Sequence, residues 1–128
     1  MRVLLVEDHE EIWDFLSRRL RRRGHEVSIA TDGQQGVDKA RAELPEIVLM
    51  DMNLPVMDGW TAARTLKAEA ATAGIPIIAL TAHAMSGDRE KAIAAGCDDY
   101  HPKPVDFGNL LEQIDAFAAK QQAVATRS

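Results

Sequence analysis

The residues best suited to chemistry are Glu7, Asp8, Asp51, Thr81 and Lys103, and apolar runs lead to each of them. Val3 to Val6 leads into Glu7-Asp8, Ile47 to Met50 into Asp51, and Ile77 to Leu80 into Thr81. A shorter segment around Tyr100 leads to Lys103-Pro104. Carboxylates gathered at one point repel, and one of them takes up a proton unless a cation joins the group. Oxygen-only ligands favour a hard divalent ion. Mg²⁺ fits well, because it takes few carboxylates and keeps positions for water and phosphate oxygens. Lys103 supplies a point charge for a phosphoryl oxygen and Thr81 a hydrogen bond. This set suits phosphoryl transfer, in which positioning and charge stabilisation dominate. A carboxylate can itself be the nucleophile and form an aspartyl phosphate.

Short apolar runs separated by helical periodicity are expected to be strands of a parallel sheet. Ligands of such sheets bind beyond the carboxyl ends of the strands. The first helix spans His9 to Arg23, with Ile12, Phe15, Leu16 and Leu20 on one face and Gly24 as its stop. A second strand covers Glu26 to Ala30, and Thr31-Asp32-Gly33 turn the chain and cap a helix to about Glu43 with Val37, Ala40 and Leu44 on one face. After the loop Asn53 to Gly59, where Asp58-Gly59 shape the chain and cap a helix, the helix carries Trp60, Ala63, Leu66 and Lys67. Ser86 is expected to cap the next helix, with Ala92 and Ile93 inward. A weak fifth strand spans Asp98 to His101, where Pro102 is expected to end pairing. Asp106 caps a last helix with the stripe Phe107, Leu110, Leu111, Ile114, Phe117 and Ala118. The polar residues from Lys120 are expected to fray.

Five βα units with right-handed crossovers give an α/β, doubly wound, five-stranded parallel sheet of order 2-1-3-4-5. That order seats Asp51 on a central strand beside the strands of Asp8 and Thr81. The expected organisation is one domain over residues 1–121 and a polar tail over 122–128.

Of 128 residues 46% are hydrophobic, enough for a sizeable core, and none of the apolar runs reaches the ~18 residues of a membrane span. The start Met1 to Val6 turns acidic too early for a signal peptide. Net charge is −5, which argues against nucleic acid as a partner. The arginines between Arg18 and Arg23 suit a solvated helix end. A single cysteine, Cys97, forbids an internal disulfide and suits a reducing cytoplasm. It is expected to be a small buried filler.

Leu4 to Asp8, Val48 to Gly59, Ala79 to Ala82 and Tyr100 to Pro104 together resemble the response-regulator receiver domain of two-component signalling, over essentially the whole chain. The resemblance implies a CheY-like, flavodoxin-like (βα)5 fold and a stand-alone cytoplasmic phosphoprotein that does not touch membrane. It implies that Asp51 accepts a phosphoryl group from a sensor histidine kinase or a histidine phosphotransfer protein. Asp8, Asp51 and the carbonyl of Asn53 then hold Mg²⁺, or Mn²⁺ as the alternative, with Glu7 assisting through water. Thr81 and Lys103 contact the phosphoryl oxygens, and Ala82 and Pro104 support them across a cis Lys103-Pro104 bond. Thr81 moves toward the phosphate and Tyr100 turns inward, altering the surface of the fourth helix, fifth strand and fifth helix. On this reading the chain assists its own phosphorylation and dephosphorylation and is not otherwise an enzyme. Its signal leaves by binding a target or by onward transfer in a phosphorelay, for which Ala79 to Met85 gives a mild preference.

Blander readings stand beside these. Tyr100 suits a core aromatic with a wet hydroxyl, and Trp13 a residue at the core boundary rather than a partner contact. His9, His25, His83 and His101 lack metal spacing and suit surface or loop roles, although His83 and Asn53 fall where the family tunes hydrolytic water. A haloacid-dehalogenase-type phosphohydrolase would carry a second Asp where Asn53 stands. A flavin carrier would not place Glu7-Asp8-His9-Glu10-Glu11 in its phosphate loop. Receiver-like modules that work without phosphate usually lose part of the acid, Thr and Lys set, which is complete here.

Overall fold

The computed structural model describes residues 1–82 and 87–127, with side chains as far as residue 121. The elements alternate as β1 (Arg2–Val6), α1 (Glu10–Arg22), β2 (Glu26–Ala30), α2 (Gly33–Glu43), β3 (Ile47–Asp51), α3 (Gly59–Ala68), β4 (Ile77–Thr81), α4 (Asp88–Ala94), β5 (Asp99–Pro102) and α5 (Phe107–Arg127). The strands form one parallel sheet in the order β2-β1-β3-β4-β5. The expected α/β, doubly wound topology is therefore the observed one.

Each central strand is apolar on both faces because both are covered. Val3, Leu5, Ile47, Leu49, Ile78 and Leu80 pack with Leu16 and Leu20 of α1 and Leu110 and Ile114 of α5. The alternate residues Leu4, Val6, Val48, Met50, Ile77 and Ala79 pack against α2, α3 and α4 through Val37, Ala40, Ala62, Leu66 and Ala92. The period of two along a strand thus feeds two separate cores. Expected caps form: Asp32 accepts from the Gln35 N–H, Asp58 from Thr61 and Asp106 from Asn109. Such caps contribute on the order of 1 kcal/mol each.

Some expectations are corrected. Leu44 leaves the α2 stripe because it is the C-cap, at φ 47°, and is 46% exposed. Ile93 is 57% exposed, and Ala92 alone of the pair faces inward. Strand β5 begins at Asp99 rather than Asp98 and reaches Pro102, whose pairing with Thr81 is the last of the ladder, so pairing ends at the proline as expected. His101 is buried rather than superficial, with its Nε2 accepting from the Asp106 N–H and its Nδ1 meeting Gln113 Oε1 at 2.8 Å. Helix α5 continues past Lys120 to Arg127. Helix α4 has Gly87 as its N-cap. Ser86, the expected cap, lies outside the described residues, as do His83, Ala84 and Met85.

Candidate phosphoryl-transfer site

Strand register builds the site. Val6 pairs with Met50, so Glu7 and Asp8 leave β1 beside Asp51 at the end of β3. Asp51 pairs with Leu80, which places Thr81 one step beyond it. Thr81 pairs with Pro102, which delivers Lys103 to the same edge. The loop after β3 turns back tightly: the Gly59 N–H donates to the Met52 carbonyl, and a Cβ on Gly59 would lie 2.3 Å from the Asp51 carbonyl oxygen. Only glycine lets α3 begin this close to the strand end.

All five predicted chemical residues converge, and Glu7, Asp51 and Thr81 are buried. Lys103 Nζ donates to Glu7 Oε1 at 2.9 Å and lies 3.2 Å from Asp51 Oδ2. Asp51 Oδ1 accepts from the Asn53 N–H at 3.1 Å. Thr81 Oγ1 donates to Asp88 Oδ2 at 2.6 Å. The Lys103-Pro104 bond is cis, as the resemblance implied. Tyr100 is half-buried against the α2–α4 core, with the Arg89 guanidinium 5.5 Å from its ring centre. Ala82 is exposed and lines a cleft of about 250 Å³ together with Asp51, Asn53, Trp60, Thr81, Asp88 and Lys91.

One lysine cannot neutralise this many acids. Burial pushes the Asp51 carboxyl up to about 6, and the Glu7 charge adds to the rise while the Asn53 N–H and Lys103 oppose it. Burial also works to raise Glu7, but hydrogen bonds from Lys103 and a protonated Asp51 overcome it and hold Glu7 low. Burial works to lower Lys103, and Glu7 and Asp51 more than offset it, so Lys103 is raised. The group therefore has a fixed ammonium on Glu7, and Asp51 holds its proton to higher pH than an ordinary carboxyl. Two buried oxygens, Asp8 Oδ1 and Asp51 Oδ2, lack an aligned hydrogen-bond donor among the described residues. Buried acceptors without partners are costly. One ligand atom from each of Glu7, Asp8, His9 and Asp51 lies within 4.8 Å of the others, close enough to share a metal ion. The donor set fits a hard divalent cation.

Two residues of the site carry only weak signals in the sequence. His9 lacks metal-ligand spacing in the sequence, yet its Nδ1 is 3.3 Å from both Glu7 Oε2 and Asp8 Oδ1. The hydrogen bond to Glu7, then the charges of Asp8 and Glu7, raise its pKa. Adjacency to the acid pair was the available signal. Asp88 carries no signal in the sequence beyond a charge suited to a helix N-terminus, and its reach back to Thr81 depends on how α4 docks. Cys97 is buried as expected, and burial with the Asp98 charge pushes its thiol up to about 11 against the pull of Lys67.

Comparison with known proteins agrees with this geometry. The family described as "Response regulator receiver domain" matches residues 3–115. Protein PilH of Pseudomonas aeruginosa is 38% identical, over 92% of this chain and 98% of PilH. The crystal structure of the receiver domain of sensor histidine kinase PA1611 from Pseudomonas aeruginosa, with a magnesium ion coordinated in its active site cleft, superposes with a TM-score of 0.85. It is 38% identical, over 91% of this chain and 95% of that one. The Saccharomyces cerevisiae receiver domain of Ssk1, co-crystallised with the histidine phosphotransfer protein Ypd1, gives a TM-score of 0.87 at 30% identity, over 94% of this chain and 90% of that one. Other relatives are far longer: the chain spans 4% and 7% of two hybrid histidine kinases of Dictyostelium discoideum.

Proposed function

The chain belongs to the response regulator receiver domain family of two-component signalling, and from that premise we propose that Asp51 is its phosphoacceptor. The observation that carries the proposal is the buried Asp51 carboxylate, with its Oδ2 lacking an aligned donor and Lys103 Nζ at 3.2 Å. In the reaction a deprotonated Asp51 oxygen attacks the phosphorus of a phosphohistidine. The new P–O bond forms as the P–N bond breaks, and the imidazole leaves and takes a proton from solvent. Lys103 lies where it can meet a transferring phosphoryl oxygen, and Glu7 holds that ammonium in place. Thr81 supplies a hydroxyl from the adjoining strand.

Receiver domains bind a divalent metal, and the ion proposed for this chain is Mg²⁺, with Mn²⁺ as a substitute. Asp8 and Asp51 would hold it with the Asn53 carbonyl, and Glu7 through water. Bound there, the ion would supply the positive charge that replaces the Asp51 proton and neutralises phosphoryl oxygens. The proposed donors are a sensor histidine kinase or a histidine phosphotransfer protein. The kinase receiver and the phosphotransfer-bound receiver among the similar structures support both. A single cysteine and such donors make the cytoplasm the proposed compartment. No helix among the described residues is long and apolar enough to cross a membrane. The domain acts as an accepting module that assists its own phosphorylation and hydrolysis. The altered surface would be that of α4, β5 and α5, read by a target or by an onward phosphotransfer partner.

Incubation with acetyl phosphate and Mg²⁺, followed by intact mass measurement, tests this. One phosphate adduct is expected, absent from Asp51→Asn and absent when EDTA removes the metal. An adduct that persists in Asp51→Asn would overturn the assignment.

A further inference from the structure

A threonine hydroxyl has one hydrogen to donate. In this structure Thr81 gives it to Asp88 Oδ2 at 2.6 Å, so it cannot at the same time serve a phosphoryl group on Asp51. Asp88 is the first residue of α4, and it turns its carboxylate to Thr81 while the helix N-cap, Gly87, makes no side-chain cap bond. Its neighbour Arg89 places a guanidinium 5.5 Å from the Tyr100 ring centre. Lys91 sits 4.8 Å from the Trp60 ring centre on α3. Asp51, Thr81 and Asp88 line one cleft. Successive residues of α4 therefore grip both Thr81 and Tyr100, the two side chains expected to rearrange.

We propose that Asp88 is a latch: it holds Thr81 in the unphosphorylated arrangement, and occupation of Asp51 by a phosphoryl group must break the Thr81–Asp88 hydrogen bond to engage Thr81. This rests on the reading of Asp51 as phosphoacceptor and Thr81 as phosphoryl ligand. It adds the residue against which the phosphate competes. Asp88 is a positioning residue, since it acts through Thr81. Because the bond exists in only one of the two arrangements, it biases the equilibrium between them. Breaking it frees the first turn of α4 and with it the Arg89 contact on Tyr100, which links the site to the outer surface.

The test uses beryllium fluoride, which mimics a phosphoryl group on a carboxylate, with Mg²⁺ and the full chain. Tryptophan fluorescence reports binding, since Trp60 lines the cleft. Asp88→Ala removes both acceptor and charge, whereas Asp88→Asn removes the charge but keeps an oxygen that can accept from Thr81. The latch predicts that Asp88→Ala binds beryllium fluoride about tenfold more tightly than wild type, with Asp88→Asn gaining clearly less. In unaltered protein the side-chain carboxyl ¹³C resonance of Asp88 should shift when beryllium fluoride binds, a readout independent of how either variant folds. Wild-type protein that fails to bind the probe would overturn the Asp51 reading itself. Wild-type binding with equal affinities for both variants, or with an unmoved Asp88 resonance, would overturn the latch alone.

Discussion

At the scale of single residues, the site is three acids facing one ammonium. Lys103 is committed to Glu7, and Asp51 holds its proton up to about pH 6, above the range in which the same group in open water releases it. Between the ordinary value of 3.8 and about 6, folded protein holds a proton on Asp51 that the unfolded chain has lost. Stability of the metal-free protein should therefore fall as pH rises through that window. Asp51→Asn removes the penalty. With EDTA present it is expected to be more stable than wild type by roughly 1–3 kcal/mol at pH 7.5, and the gain should vanish near pH 4; urea unfolding at both pH values measures it. Lys103→Met works in the opposite direction, since it leaves Glu7 buried without its cation. A loss of about 2 kcal/mol at pH 7.5 is expected in the same assay, smaller at pH 5, where the acids can protonate.

At the scale of elements, the site depends on how tightly each strand end hands over to its helix. Gly59→Ala should cost about 3 kcal/mol and blunt Mg²⁺ binding, because the new Cβ would meet the Asp51 carbonyl and the Met52 Cα at the strand end itself. Gly74→Ala, where a Cβ meets nothing within 4 Å, should change stability by less than about 0.5 kcal/mol. Thermal melts of the two variants check the contrast. The strands and caps were legible in the chain because their signals are local: alternating apolar residues in two covered layers, and Asp32, Asp58 and Asp106 just ahead of helical periodicity. What was illegible depends on packing. Nothing in the pattern around Ile93 says that the short α4 turns it to solvent, and a lone His101 gives no sign of the Gln113 side chain that receives it from α5. The Thr81–Asp88 bond spans 7 residues whose register no periodicity records.

At the scale of the whole molecule, parallel order brings together groups from positions 7 to 103 that no local segment could assemble. Strand ends were readable as the site because the order 2-1-3-4-5 leaves β1, β3 and β4 adjacent. The metal proposed for the site should act as a global stabiliser, since it binds where folded acids converge and has no such site in the unfolded chain. At Mg²⁺ tenfold above its dissociation constant, linkage amounts to about 1.4 kcal/mol. This should raise Tm by about 5 °C, and Asp51→Asn should abolish most of the rise. The central claim, that Asp51 carries phosphate taken from a histidine, is tested most directly by mixing the protein with a ³²P-labelled phosphohistidine donor and Mg²⁺ and mapping the label by peptide. Label is expected to leave the donor and appear in the peptide containing Asp51, alkali-labile and missing from Asp51→Asn. Label that stays on the donor, or settles on any other residue, would contradict it.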